Sequence, residues 1–170
     1  MKAFNWKSAT LFTLTSMGTA LIIQACGGDN SAVAQSTPPV AAAPDPIEGL
    51  WQSNVTLRDC ASGATIGGFK GLTIFNQGGT ASADNNQPSP TKGLALGVWR
   101  KTATGSYAID LRFWRYLGDG TPAGQQRLTR VITLAADGKS LTSTISTQAL
   151  DNLDNVVQTA CGVETGTKVG

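Results

Sequence analysis

From residue 47 onward the chain alternates apolar and polar residues with a period of two, in short runs separated by turn signals. Tyr107, Ile109, Leu111 and Phe113 interleave with Ala108, Asp110, Arg112 and Trp114. Trp51, Ser53, Val55 and Leu57 likewise interleave with Gln52, Asn54, Thr56 and Arg58. Successive side chains of a strand point to opposite faces, so this pattern specifies strands with one buried face. No run carries a 3.6-residue period, and the predicted class is all-β.

The turn signals set the spacing. Ala61-Ser62-Gly63 closes the first strand, and Phe69 to Phe75 forms the second, ending at Gln77-Gly78-Gly79. Thr80 to Ala83 either extends that strand past a glycine bulge or begins a third. Asp84 to Lys92, with Asn85-Asn86 and two prolines, reads as an exposed loop. Leu94 to Lys101 and Ser106 to Leu117 form a hairpin about Ala103-Thr104-Gly105. Asp137-Gly138 is the strongest hairpin signal, joining Gln125 to Leu134 with Leu141 to Ala149. Val156 to Val169 closes the domain. About eight short strands fit a closed antiparallel barrel or a sandwich. The expectation adopted is an eight-stranded up-and-down barrel over residues 47–170.

The first 46 residues differ in kind. Lys2 and Lys7 precede an apolar but diluted stretch from Ala9 to Ile23, shorter than the about 20 residues of a membrane-spanning helix. A charged start, a short apolar core and a small-residue boundary define a signal peptide over residues 1–25. Ile23-Gln24-Ala25-Cys26 resembles the bacterial lipoprotein signal, in which the cysteine is acylated and becomes the first mature residue. That resemblance implies a lipid on Cys26, palmitate included, and membrane attachment in the cell envelope. Gly27, standing where Asp favours inner-membrane retention in enteric lipoproteins, implies the outer membrane, facing the periplasm. Ala32-Val33-Ala34 offers the competing A-x-A site, which releases a soluble periplasmic protein. Residues 26–46, rich in Gly, Ser, Ala and Pro, read as a flexible linker.

Processing changes the charge. The whole chain carries +2, but removing Lys2 and Lys7 with the leader leaves eleven basic and eleven acidic residues. A neutral chain gives no electrostatic reason to expect nucleic acid as a partner. Of three cysteines, one is assigned to lipid. Cys60 and Cys161 remain to pair in an oxidising compartment. In an even-stranded up-and-down barrel the first and last strands run antiparallel. Placing Cys60 opposite Cys161 brings Trp51 opposite about residue 170, with Lys168 nearby.

Gly49-Leu50-Trp51 at the first strand resembles the G-x-W motif of lipocalins and avidins, the calycin barrels. Phe75-Asn76-Gln77-Gly78-Gly79-Thr80 and Gly93-Leu94-Ala95-Leu96-Gly97-Val98-Trp99 are similar to segments of lipocalin-like bacterial lipoproteins. The resemblance implies that Trp51 plugs one barrel end and packs near a basic residue of the last strand, here Lys168.

No catalytic constellation is visible. Histidine is absent, which removes the commonest general base near neutral pH and a common metal ligand. There is no G-x-S-x-G, phosphate loop or dinucleotide fingerprint. Asp119, Asp137, Asp151 and Asp154 sit in turns, where their expected work is capping backbone amides. The expectation is a non-enzymatic protein without metal or cofactor.

Arginine placement carries the sharper expectation. Arg100, Arg112, Arg115, Arg127 and Arg130 fall on three successive strands. Arg115 continues the face of Tyr107 and Phe113, and Arg130 shares a face with Leu128, Ile132 and Leu134. Pointing inward, Arg115 and Arg130 would need partners, and a ligand carboxylate suits the guanidinium fork. Such a site, with Tyr107 and Phe113 beside Arg115 and Arg130, would resemble fatty-acid binding in other calycins. The competing placement puts these arginines at the rim or on Asp110. Trp99, Trp114, Tyr116 and Phe113 form a second aromatic group, expected to pack across strands. Two functions follow: a binding module for a small apolar or amphipathic molecule, or an envelope interaction module with a barrel filled by its own side chains.

Overall fold

The structure is a computed structural model and describes residues 43–87 and 91–170. The signal peptide, Cys26 and the linker through residue 42 lie outside the described residues. Eight strands follow one another: β1 Gly49–Arg58, β2 Thr65–Phe75, β3 Thr80–Asn85, β4 Ala95–Ala103, β5 Ser106–Tyr116, β6 Pro122–Leu134, β7 Ser140–Leu150 and β8 Val156–Lys168. Each pairs antiparallel with the next, and β1 pairs with β8, so the sheet is a closed up-and-down barrel. Closure removes the unpaired edges that an open sheet would present.

The predicted elements map onto this barrel. Thr80 begins a third strand: the chain reverses over residues 76–79, where Asn76 N–H donates to Thr80 O at 2.9 Å. The period-two faces hold along β5, where Tyr107, Ile109 and Leu111 are buried while Arg112 and Trp114 are exposed. The aspartates cap as expected. Asp137 Oδ1 accepts from Lys139 N at 2.8 Å, Asp119 Oδ1 from Thr121 N at 2.9 Å, and Asp151 Oδ1 from Leu153 N at 2.8 Å. Asp154 instead takes the left-handed position of its turn, at φ 62°.

Cys60 and Cys161 form a disulfide with Cα atoms 5.0 Å apart. The register beneath it differs from the expected one by two residues. Cys161 lies opposite Arg58, and Trp51 lies directly opposite Lys168. Cys60 stands past the end of β1, in the turn that Asp59 caps, so the bridge crosses the seam diagonally. It ties β1 to β8 at the end where β1 finishes and β8 starts.

The interior is graded in size. Toward the start of β1 it holds Trp51, Phe75, Tyr107 and Ile132, each 2% exposed or less, and above them Ile109 and Leu111. Toward the other end the inward positions include the small Gly71, Ala83, Ala95 and Ala160 beside larger ones such as Phe69 and Phe113. Large side chains fill one half; the small positions leave room in the other.

Candidate functional site: an open-mouthed cavity

The filled end is built around Trp51. Its indole N–H donates to Ile47 O at 2.7 Å, and Lys168 Nζ lies 5.7 Å from its ring centre. Lys168 also donates to Pro46 O at 2.8 Å. Gly49 adopts φ 116°, and a Cβ there would stand 3.2 Å from Lys168 Cε, so glycine lets the lysine cross the plug. Trp99 packs edge-on between Phe75 and Tyr107, at 6.2 and 5.9 Å between ring centres. It belongs to this plug and forms no group with Trp114, which is exposed outside the barrel.

Two residues assigned to the linker join the plug. Asp45 accepts from the Tyr107 hydroxyl and pairs with Lys101 Nζ at 2.8 Å. Burial pushes the Asp45 carboxyl up. The hydrogen bonds from Lys101, Tyr107 and the Ile47 amide outweigh that and hold it below the usual carboxylate range. Burial, and then the bond to Asp45, push the Tyr107 phenol up. Sequence reading missed Asp45 because it sits in a proline-flanked stretch with no strand pattern. Tyr107, expected at the ligand, is instead committed to closing this end; it lies at the start of β5, far from the mouth.

The opposite half contains a cavity of about 360 Å³. Its walls include Leu57, Phe69, Leu111, Phe113 and Leu128, and its polar groups include Lys92, Arg115 and Arg130. Residues 91–93 run back along the end of β5: Lys92 bridges Arg115, and Gly93 N donates to Trp114 O at 2.8 Å. Lys92 pairs with Asp84, and that hydrogen bond holds the Asp84 carboxyl below its usual range. Arg115 has no carboxylate within ion-pair distance among the described residues. Its Nη1 makes only a long contact, 3.5 Å, with Leu150 O. Ile66, Leu117, Leu153, Val156 and Val157 stand exposed on the strand ends and loops around the mouth.

Arg130 marks the inner boundary of the cavity, and here the expectation needs correcting. It does point inward, at 8% exposure, but its charge is already matched. Nη1 lies 3.0 and 3.3 Å from the two Glu164 oxygens and 3.3 Å from Thr73 Oγ1, while Ser143 Oγ donates to Glu164 at 2.6 Å. A ligand carboxylate at that point would meet a guanidinium whose charge Glu164 already balances. Glu164 was missed although its signal was present. It shares parity with Lys168 on a strand whose other inward residues are Ala160, Gly162 and Gly166.

The two halves therefore differ in chemistry as well as packing. One is a hydrogen-bonded aromatic plug. The other is an apolar pouch with a cation at its lip and an ion pair at its floor. No group of three or more His, Cys, Asp or Glu residues suited to a metal ion occurs among the described residues.

No protein-family model matches this chain, and no curated protein matches it. Fold and site together define a small, disulfide-closed, eight-stranded β barrel, plugged at one end and open at the other.

Proposed function

We propose that this barrel is a binding module for a small amphipathic molecule that enters by the mouth. The observation that carries this reading is the cavity of about 360 Å³, within the range of small-molecule sites. Apolar walls suit a hydrocarbon portion. Arg115, which has no carboxylate partner among the described residues, suits an anionic group at the lip. The protein acts as a carrier or sink, with no catalytic step, and belongs with the lipocalin-like barrels that Gly49, Trp51 and Lys168 resemble. The leader ending at Cys26 supports a lipid-anchored envelope protein of the outer membrane facing the periplasm. The disulfide is consistent with an oxidising compartment.

Titration calorimetry with decanoate tests the binding reading. Saturable one-to-one binding is expected, weakened at least fivefold in Arg115→Leu through loss of a charge-assisted contact of about 1–2 kcal/mol. Absence of saturable binding to the wild-type protein refutes it.

A second reading, a protein-interaction module, is favoured by one specific feature. Leu72, Ile74, Leu96 and Val98 project outward from β2 and β4, each more than 40% exposed, and the pairings Ile74–Ser82 and Ser82–Leu96 set two of them in one row. Ile74→Glu with Leu96→Glu should preserve the fold, and under the first reading should leave decanoate binding intact. It should abolish a protein complex only under this second one.

A further inference from the structure

We infer, resting on the binding reading above, that the cavity selects an amphiphile polar at both ends. Its anionic group sits at the mouth by Arg115, and a neutral oxygen acceptor at its inner end meets Arg130.

Donor supply at the floor carries the inference. A guanidinium offers five N–H donors and no acceptor. The protein acceptors around Arg130, the two Glu164 oxygens and Thr73 Oγ1, are all reached from Nη1. Arg130 Nε is buried with no hydrogen-bond partner. Ser53 Oγ, behind Gly71 of the cavity wall, is a second buried group without a partner; a Cβ on Gly71 would stand 3.1 Å from it. Buried polar groups left unpaired are costly, and a ligand oxygen reaching this floor gains what the protein leaves unmade.

Charge decides that the inner oxygen is neutral. Glu164 already balances Arg130, and a ligand carboxylate at the floor would sit against the Glu164 carboxylate. A hydroxyl or carbonyl oxygen adds an acceptor without adding charge. At the mouth the balance is opposite, because among the described residues Arg115 has no carboxylate partner and Lys92 pairs with Asp84 alone. The pouch is thus cationic at the lip, apolar along the wall and donor-rich at the floor.

The sign of one comparison tests this. In a pocket with an apolar floor, a terminal hydroxyl on a bound chain weakens binding, because it is buried without a partner. Here ω-hydroxydecanoate should bind wild-type protein about tenfold more tightly than decanoate. In Arg130→Met/Glu164→Leu, which removes the polar floor as a pair, the order should reverse while decanoate still binds. Equal or weaker binding of ω-hydroxydecanoate by wild type, with decanoate bound, overturns this inference and leaves the binding reading standing. Failure of both ligands to bind wild type overturns both.

Discussion

Replacing Glu164 by leucine would leave Arg130 inside the barrel with no carboxylate at 3.0 Å and Ser143 without its acceptor. Both charged side chains are almost fully buried, at 8% and 2% exposure. Removing one partner of such a pair strands the other charge, and the cost is about 3–5 kcal/mol. The lost Ser143 bond adds about 1 kcal/mol. Against a total stability of about 5–15 kcal/mol, the single substitution is severe. Followed by tryptophan fluorescence in urea, it should lower the unfolding midpoint by about 2 M for a slope of about 2 kcal/mol/M. Arg130→Met alone should cost a similar amount. The double substitution Arg130→Met/Glu164→Leu should recover most of the loss, since replacing a whole buried pair by apolar residues is often neutral or stabilising. A Glu164→Leu protein within about 1 kcal/mol of wild type would refute the reasoning. So would a double variant as unstable as the two single losses added together.

Three further substitutions probe the frame. Cys60→Ser/Cys161→Ser opens a bridge spanning 101 residues of sequence and should destabilise by up to about 4.7 kcal/mol in urea, without changing the far-ultraviolet spectrum. Gly97→Ala places a Cβ 1.8 Å from the Asp110 carbonyl oxygen on the paired strand, so β4 must separate from β5. A loss of at least about 2 kcal/mol is expected, with faster amide exchange along that pair. Asp45→Asn should lower the stability at neutral pH by about 1–2 kcal/mol. The Asp45 carboxyl is held below its unfolded value, so its contribution is present above that value and is lost as pH falls through the folded one. Wild type and variant should therefore converge in acid.

Alternation along the chain was enough to give eight strands and their inward faces, because a period of two is local. It put Arg130 on the face of Leu128, Ile132 and Leu134 but left open whether that arginine points inward or sits at the rim; in the fold it is buried. It could not supply Glu164 as the partner, because that depends on the β6–β7 and β7–β8 registers, which set Arg130 opposite Ile145 and Glu164 opposite Ser143. Cys60 was a misleading marker for the β1–β8 register, lying beyond the strand rather than within it. Tyr107 was assigned to the ligand on its face alone; its height in the barrel, opposite Ile132 and bonded to Asp45, decides that it belongs to the plug. The cavity was legible only as a possibility. Its cause is the size of the inward residues, small at Gly71, Ala83, Ala95 and Ala160 and large at Trp51, Phe75 and Tyr107, and that grading becomes visible once the strands are stacked in register.

Filling the pouch tests the central claim most directly. Ala160 is buried on the cavity wall, four residues before Glu164 on the same face of β8 and outside the plug. Ala160→Phe should preserve the circular-dichroism spectrum and the disulfide, and remain within about 3 kcal/mol of wild type in urea, the ordinary cost of an enlarged side chain. Calorimetry with decanoate should then show one-to-one binding to wild type and at least tenfold weaker binding to the variant. Unchanged affinity in the folded variant would place the ligand elsewhere on the barrel and contradict the claim that the cavity is the binding site.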